Sequence, residues 1–160
     1  FKEMLPHRKR TYVNLDLSDE FIGELIGLFV GDGNLFYDKK EEGEGKTIFS
    51  VPYNMAPIDV AVFPLMRKPE LLKVSERVRD ILEKEFVVEY DVSGSIGRRY
   101  LRAAMAGTPF CLTIDYESLE KRDVTVRDRD TEKQVRVKID ELKEVLSELL
   151  NGEKRFEDLL

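Results

Sequence analysis

From Ile58 to Leu65 the chain is almost unbroken in apolar residues, rich in valine and interrupted by Asp59 and Pro64. Such a run has no polar side to give to water, so it predicts a strand covered on both faces. Pro69 and Glu70 open a helix, where proline is tolerated because first-turn N–H groups have no helical acceptor. Leu71, Val74, Val78, Ile81 and Leu82 mark its inner face. Phe86 to Tyr90 reads as a second strand. A turn from Asp91 to Gly94 leads into a short second helix carrying Arg98, Arg99 and Arg102, and Phe110 to Asp115 is a third strand. Asp123 to Arg127 and Gln134 to Lys138 alternate polar and apolar residues, the mark of half-exposed strands, and the short connection between them predicts a hairpin. Ile139, Leu142, Val145, Leu146 and Leu149 give a final amphipathic helix that Asn151-Gly152 stops. The order β-α-β-α-β-β-β-α implies an α/β domain: strand-helix-strand units run parallel, the hairpin adds antiparallel strands, and the helices cover a mixed sheet.

The first part of the chain breaks this regularity. Residues 1–46 read as an extension: a basic opening at Arg8, Lys9 and Arg10, an apolar helix from Phe21 to Val30, and a charged, glycine-rich run from Glu41 to Lys46 that reads as a linker or exposed loop. Regular patterning starts at Thr47, which sets a second unit at 47–160. The chain opens on Phe1 rather than methionine, as expected of a fragment or a trimmed chain, with a stand-alone paralogue as the alternative.

Composition narrows the chemistry. The 160 residues are 42% hydrophobic and 36% charged, with both signs interspersed, enough for one domain with a real core. A net charge of -6 argues against a general polyanion binder, so any nucleic-acid contact must be local. The single Cys111 allows no disulfide within the chain and suits a reducing compartment, the cytoplasm. Its setting between Phe110 and Leu112 marks it as a small buried strand residue. No apolar run is long enough for a membrane span, and no signal peptide is visible.

No catalytic constellation stands out. His7 is the only histidine and sits in the basic opening, so no Ser-His-Asp or Cys-His pair forms, and there is no Walker loop. Local charge does stand out: between Gly94 and Cys111 there are three arginines and no acid. Arg98 and Arg99, following Ser93-Gly94-Ser95 at a helix start, offer guanidinium forks and free backbone N–H groups to phosphate. Arg127-Asp128-Arg129-Asp130 reads as a hairpin turn whose arginines pair with its own aspartates, or as exposed charge alternation worth little.

These strings carry a family resemblance. Ala56-Pro57-Ile58, Val60 to Leu65, Asp91 to Tyr100, Gly107 to Phe110, Arg127 to Asp130 and Gln134 to Asp140 resemble the C-terminal anticodon-binding domain of glycyl-tRNA synthetases of the archaeal and eukaryotic type. The resemblance extends to Thr47–Pro52 and to Asn151-Gly152. It implies a mixed five-stranded sheet flanked by helices and a grip on the anticodon end of a tRNA, glycine tRNA being the expected partner; single-stranded loops are where proteins read RNA bases. The implied tRNA-binding residues are Ser93, Ser95, Arg98, Arg99, Arg102, Arg127 and Arg129. By the same resemblance, ATP and magnesium serve a full-length synthetase and none is expected in this chain. The catalytic domain or a homodimer partner are further implied partners. The expected catalytic set is empty, since class II ATP-binding motifs have no counterpart here.

Two departures qualify the resemblance. Family members carry an acidic pair just before Gly-Thr-Pro-Phe, where this chain has Ala103-Ala104-Met105-Ala106. Alanine accepts no hydrogen bond from a base, so weak discrimination among tRNAs is expected. Upstream, Leu25 to Gly33 is similar to the signature helix of LAGLIDADG homing endonucleases, with Gly27 and Gly31 as small packing residues and Asp32 matching the acid that holds a divalent metal in that family. The long DNA-binding sheet that should follow has no counterpart. The alternatives are therefore a metal-dependent endonuclease fragment, and a synthetase-like interaction domain that has lost tRNA binding.

Overall fold

The computed structural model describes residues 36–41 and 44–160, with side chains from Ser50 onward. His7, the basic opening, the helix read at Phe21 to Val30 and Asp32 lie outside the described residues. Strands β1 (Phe36–Glu41) and β2 (Glu44–Phe49) form a two-stranded antiparallel sheet, registered from Phe36 opposite Phe49 to Glu41 opposite Glu44. This corrects the reading of 41–46 as a linker. Charge and glycine in residues 38–41 and 44–46 hid the strand signal.

The main sheet has five strands in the order β4-β3-β5-β6-β7. β3 (Val60–Pro64) and β5 (Phe110–Ile114) are buried along their whole length, as continuous apolar runs require. β3 pairs in parallel with both β4 (Val88–Tyr90) and β5. β5, β6 (Asp123–Asp128) and β7 (Gln134–Lys138) then meander antiparallel. Four helices complete the domain: α1 (Pro69–Leu82), α2 (Ile96–Met105), α3 (Tyr116–Lys121) and α4 (Leu142–Asn151). β2 runs beside α2. No helix among the described residues is long and apolar enough to cross a membrane.

Alternation along the strands divides the core in two. Val60, Val62, Phe110, Leu112, Ile114, Val124, Val126 and Val137 face one side, where Leu71, Val78 and Leu82 of α1 and Leu142, Leu146 and Leu149 of α4 cover them. Ala61, Phe63 and Cys111 face the other, covered by Ala103, Ile96 and Tyr100 of α2. One face is thus roofed by two helices. Among the described residues, α2 is the helix on the other face, and beyond it the β6 and β7 positions Thr125, Arg127, Arg136 and Lys138 stay partly or fully exposed.

α3 is the one helix of the domain that periodicity missed. It is six residues long, too short for a repeating apolar face, and is fixed at its start instead: the Asp115 carboxylate accepts from Ser118 N–H and Ser118 Oγ accepts from Asp115 N–H, with Arg122 left-handed at its end. The last helix ends as expected, with Gly152 at φ 72°.

Candidate functional site

A cleft of about 120 Å³ opens between α2 and the β6–β7 turn. Gly97, Tyr100, Leu101 and Ala104, spaced as one stripe of α2, form a wall; Thr108 and Cys111 lie at its base, and Arg127, Asp128, Arg129 and Glu132 close the far side. It sits on the sheet face that carries Cys111, beside α2.

The wall is held by Tyr100. Its ring packs edge-on to Phe63 at 5.8 Å, its hydroxyl shares a 2.5 Å hydrogen bond with Thr113 Oγ1, and Arg127 lies over its face at 4.9 Å. Burial pushes the phenol above its ordinary range, so it stays protonated. Burial likewise pushes the Cys111 thiol up to about 12, leaving it an inert packing group.

The turn opposite is built around a buried carboxylate. Asp128 accepts from Tyr53 Oη at 2.7 Å through one oxygen and from Thr131 N–H and Oγ1 through the other. Arg127 donates to Glu132 at 2.8 Å, and Arg129 pairs with Asp130. The arginines are therefore paired within the turn, as one reading of the Arg-Asp alternation had it, but Asp128 serves Tyr53 and Thr131 rather than an arginine.

The seven residues implied by the resemblance separate into two groups. Arg98, Arg102, Ser93 and Ser95 are exposed and Arg127 is half-buried on the rim. Arg98 makes no ion pair among the described residues. Arg102 donates to Asp91 at 2.5 Å and to the Ser93 carbonyl at 2.7 Å. Burial works to raise the Asp91 carboxyl, but hydrogen bonds from Arg102 and Ser93 outweigh it and hold the group at about 2.

Arg99 and Arg129 point inward, which corrects the expectation that they present free donors to phosphate. Arg99 is 3% exposed and donates to the Pro64 carbonyl at 2.5 Å and the Gly94 carbonyl at 3.2 Å. Helical spacing explains it: Ile96, Arg99, Tyr100 and Ala103 form the stripe against the sheet, and Arg98 lies about 100° away. Arg129 is 6% exposed, donates to the carbonyls of Gly107 and Val51, both at 2.9 Å, and lies 5.3 Å from the Tyr53 ring centre.

The two alanines also part company. Ala103 is buried in the α2–sheet core and Ala104 lines the cleft, so only a side chain at 104 faces a ligand there. Tyr100, Leu101, Thr108 and Glu132 line the cleft but were not among the residues the resemblance implied; the spacing of 97, 100, 101 and 104 was the available signal. Among the described residues no group of three or more His, Cys, Asp and Glu side chains is placed to hold a metal ion.

Residues 59–149, more than half of the chain, match the anticodon binding domain family. The chain is similar to glycine–tRNA ligases: 47% identical to that of Corynebacterium efficiens over 107 residues, covering 67% of this chain and 23% of the relative. It is 40% identical to that of Methanothrix thermoacetophila over 124 residues (77% and 22%), and 40% identical to that of Clostridium kluyveri over 150 residues (86% and 31%). The chain thus spans less than a third of these relatives. Among solved structures, the prolyl-tRNA synthetase of Cryptosporidium parvum superposes with a TM-score of 0.61 at 26% identity, over 65% of this chain and 23% of that one.

Proposed function

The chain belongs to the anticodon binding domain family, and from that premise we propose that it grips the anticodon end of a tRNA, glycine tRNA being the expected species, as part of a glycine–tRNA ligase acting in the cytoplasm. The observation that carries this reading is the cleft between α2 and the β6–β7 turn. An unpaired base fits such a space: Tyr100 and Leu101 offer apolar surface, and Arg127 offers a planar cation on the rim. Arg98 and Arg102 stand on the outer side of α2, where backbone phosphates of the same loop would pass.

The cleft wall at 104 is apolar, so that position accepts no hydrogen bond from a base amino group, and the carboxylates across the cleft, Asp128 and Glu132, are engaged by Tyr53, Thr131 and Arg127. Phosphate contacts position an RNA without specifying it. The chain should therefore bind glycine tRNA and an unrelated tRNA within about tenfold of one another, since one missing bidentate pair corresponds to about 1–3 kcal/mol of lost discrimination. Fluorescence anisotropy with the two labelled tRNAs measures this. A preference beyond about hundredfold would mean that other residues of the chain read the bases.

A further inference from the structure

The loops that leave β3 and β4 diverge to opposite faces of the sheet: β3 continues into α1 on the doubly roofed face, and β4 continues into α2 on the other. Adjacent parallel strands whose connections part in this way leave a crevice beyond their carboxyl ends, where ligands of open α/β sheets bind. We propose that this crevice is a seat for one phosphodiester of the bound RNA, held by Arg67, Arg98 and the backbone N–H groups that open α2. The site rests on the reading of the chain as an RNA-binding domain. It lies at the N-terminal opening of α2, where Gly97 borders the base cleft, and it adds Arg67, which no motif pointed to.

The loops bring cations to one place. Arg67, just past β3, donates through Nε to the Val92 carbonyl at 2.7 Å, which pins it across the crevice to the loop after β4. Arg102 reaches the same loop through Asp91 and Ser93. Arg99 forms the floor, its guanidinium strung between Pro64 at the end of β3 and Gly94 beyond β4, with Nε buried and without a partner. Burial lowers the Arg99 pKa, and Arg102 and Arg67 lower it further, with Asp91 the largest opposing influence. Among the described residues, the three guanidiniums of Arg67, Arg99 and Arg102 therefore meet the Asp91 carboxylate, which leaves local positive charge for an anion to neutralise.

The helix start is open as well. Ser95 makes no side-chain cap, so the N–H groups of Ile96, Gly97 and Arg98 have no helical acceptor and carry the positive end of the α2 dipole. A Cβ at Gly97 would meet nothing within 4 Å, and Gly94 holds the preceding turn at φ 72°, a conformation that L side chains rarely adopt. An anion can thus approach these amides directly, with Arg67 and Arg98 on its flanks.

Two measurements on the whole chain test the seat. Titrating inorganic phosphate should shift the amide NMR signals of Ile96, Gly97 and Arg98 in the wild type and much less in Arg67→Ala, a change of an exposed residue that leaves the fold intact. Unmoved amides would overturn the seat. Salt titration of tRNA binding should then show the log–log slope falling by about 0.7–0.9 in Arg67→Ala, equally for glycine tRNA and an unrelated tRNA, and unchanged in Arg155→Ala, at the start of the C-terminal 3-10 turn Phe156–Leu159. Shifted amides with an unchanged RNA slope would reassign the seat to a free phosphate and overturn the proposal. If the wild type binds no tRNA, the functional reading itself fails, and the amide titration still decides whether an anion site exists.

Discussion

Arg129→Ala should be among the most destabilising single changes in the domain, costing about 3 kcal/mol in denaturant unfolding and lowering Tm by about 10 °C. The guanidinium joins three parts of the chain: the β6–β7 turn through Asp130, the approach to β5 through Gly107, and the segment before the sheet through Val51. Alanine would leave two carbonyls inside the protein without a donor and open space beside the Tyr53 ring. The Tyr53 hydroxyl donates to Asp128, and burial, with Asp128 next, holds the phenol protonated, far above its ordinary range. Arg98→Ala, an exposed change on the same domain, should stay within about 0.5 kcal/mol. A cost for Arg129→Ala below about 1 kcal/mol would show that the turn holds itself and that Arg129 is dispensable to it.

The largest effect on binding is expected from Ala104→Leu. Position 104 lies on the cleft wall and is only half-buried, and leucine is nearly as good a helix former as alanine, so stability should barely change. The added side chain occupies the space proposed for a base. Stacking in such sites is worth about 1–3 kcal/mol per base, so affinity for tRNA should fall roughly ten- to hundredfold. The loss should be similar at low and high salt, because no phosphate contact is removed, which separates it from the Arg67→Ala effect. Unchanged affinity in a folded Ala104→Leu protein would move base recognition away from the cleft.

Much of the fold was legible because burial leaves period and composition in the sequence. β3 and β5 read as continuous apolar runs since both of their faces are covered, and β6 and β7 alternated because only one is. α1 and α4 showed helical stripes of leucine and valine. What escaped was α3, which depends on the reciprocal Asp115–Ser118 bonds, and the β1–β2 pair, whose apolar ends (Phe36-Tyr37 and Ile48-Phe49) are separated by a charged, glycine-containing middle. The site was half legible. The string from Asp91 to Arg102 marked the place, yet the neighbours Arg98 and Arg99 have opposite fates, exposed and buried, which only the helix phase against the sheet decides. Ile96, Tyr100 and Ala103 carried that phase, and Arg99 falls among them. Arg67 could not be found at all from sequence, because it meets α2 only through the divergence of two loops that are distant in the chain.

The central claim is that this domain holds the anticodon end of a tRNA through the cleft between α2 and the β6–β7 turn. Competition against labelled glycine tRNA, using an isolated anticodon stem-loop and an acceptor-stem hairpin of equal length and charge, tests it most directly. The stem-loop should displace the tRNA at a concentration close to that needed by unlabelled tRNA, and the hairpin should require at least about tenfold more, since an unpaired base is worth about 1–3 kcal/mol. Equal displacement by the two RNAs would contradict the account, because it would mean that the chain meets only a generic polyphosphate backbone.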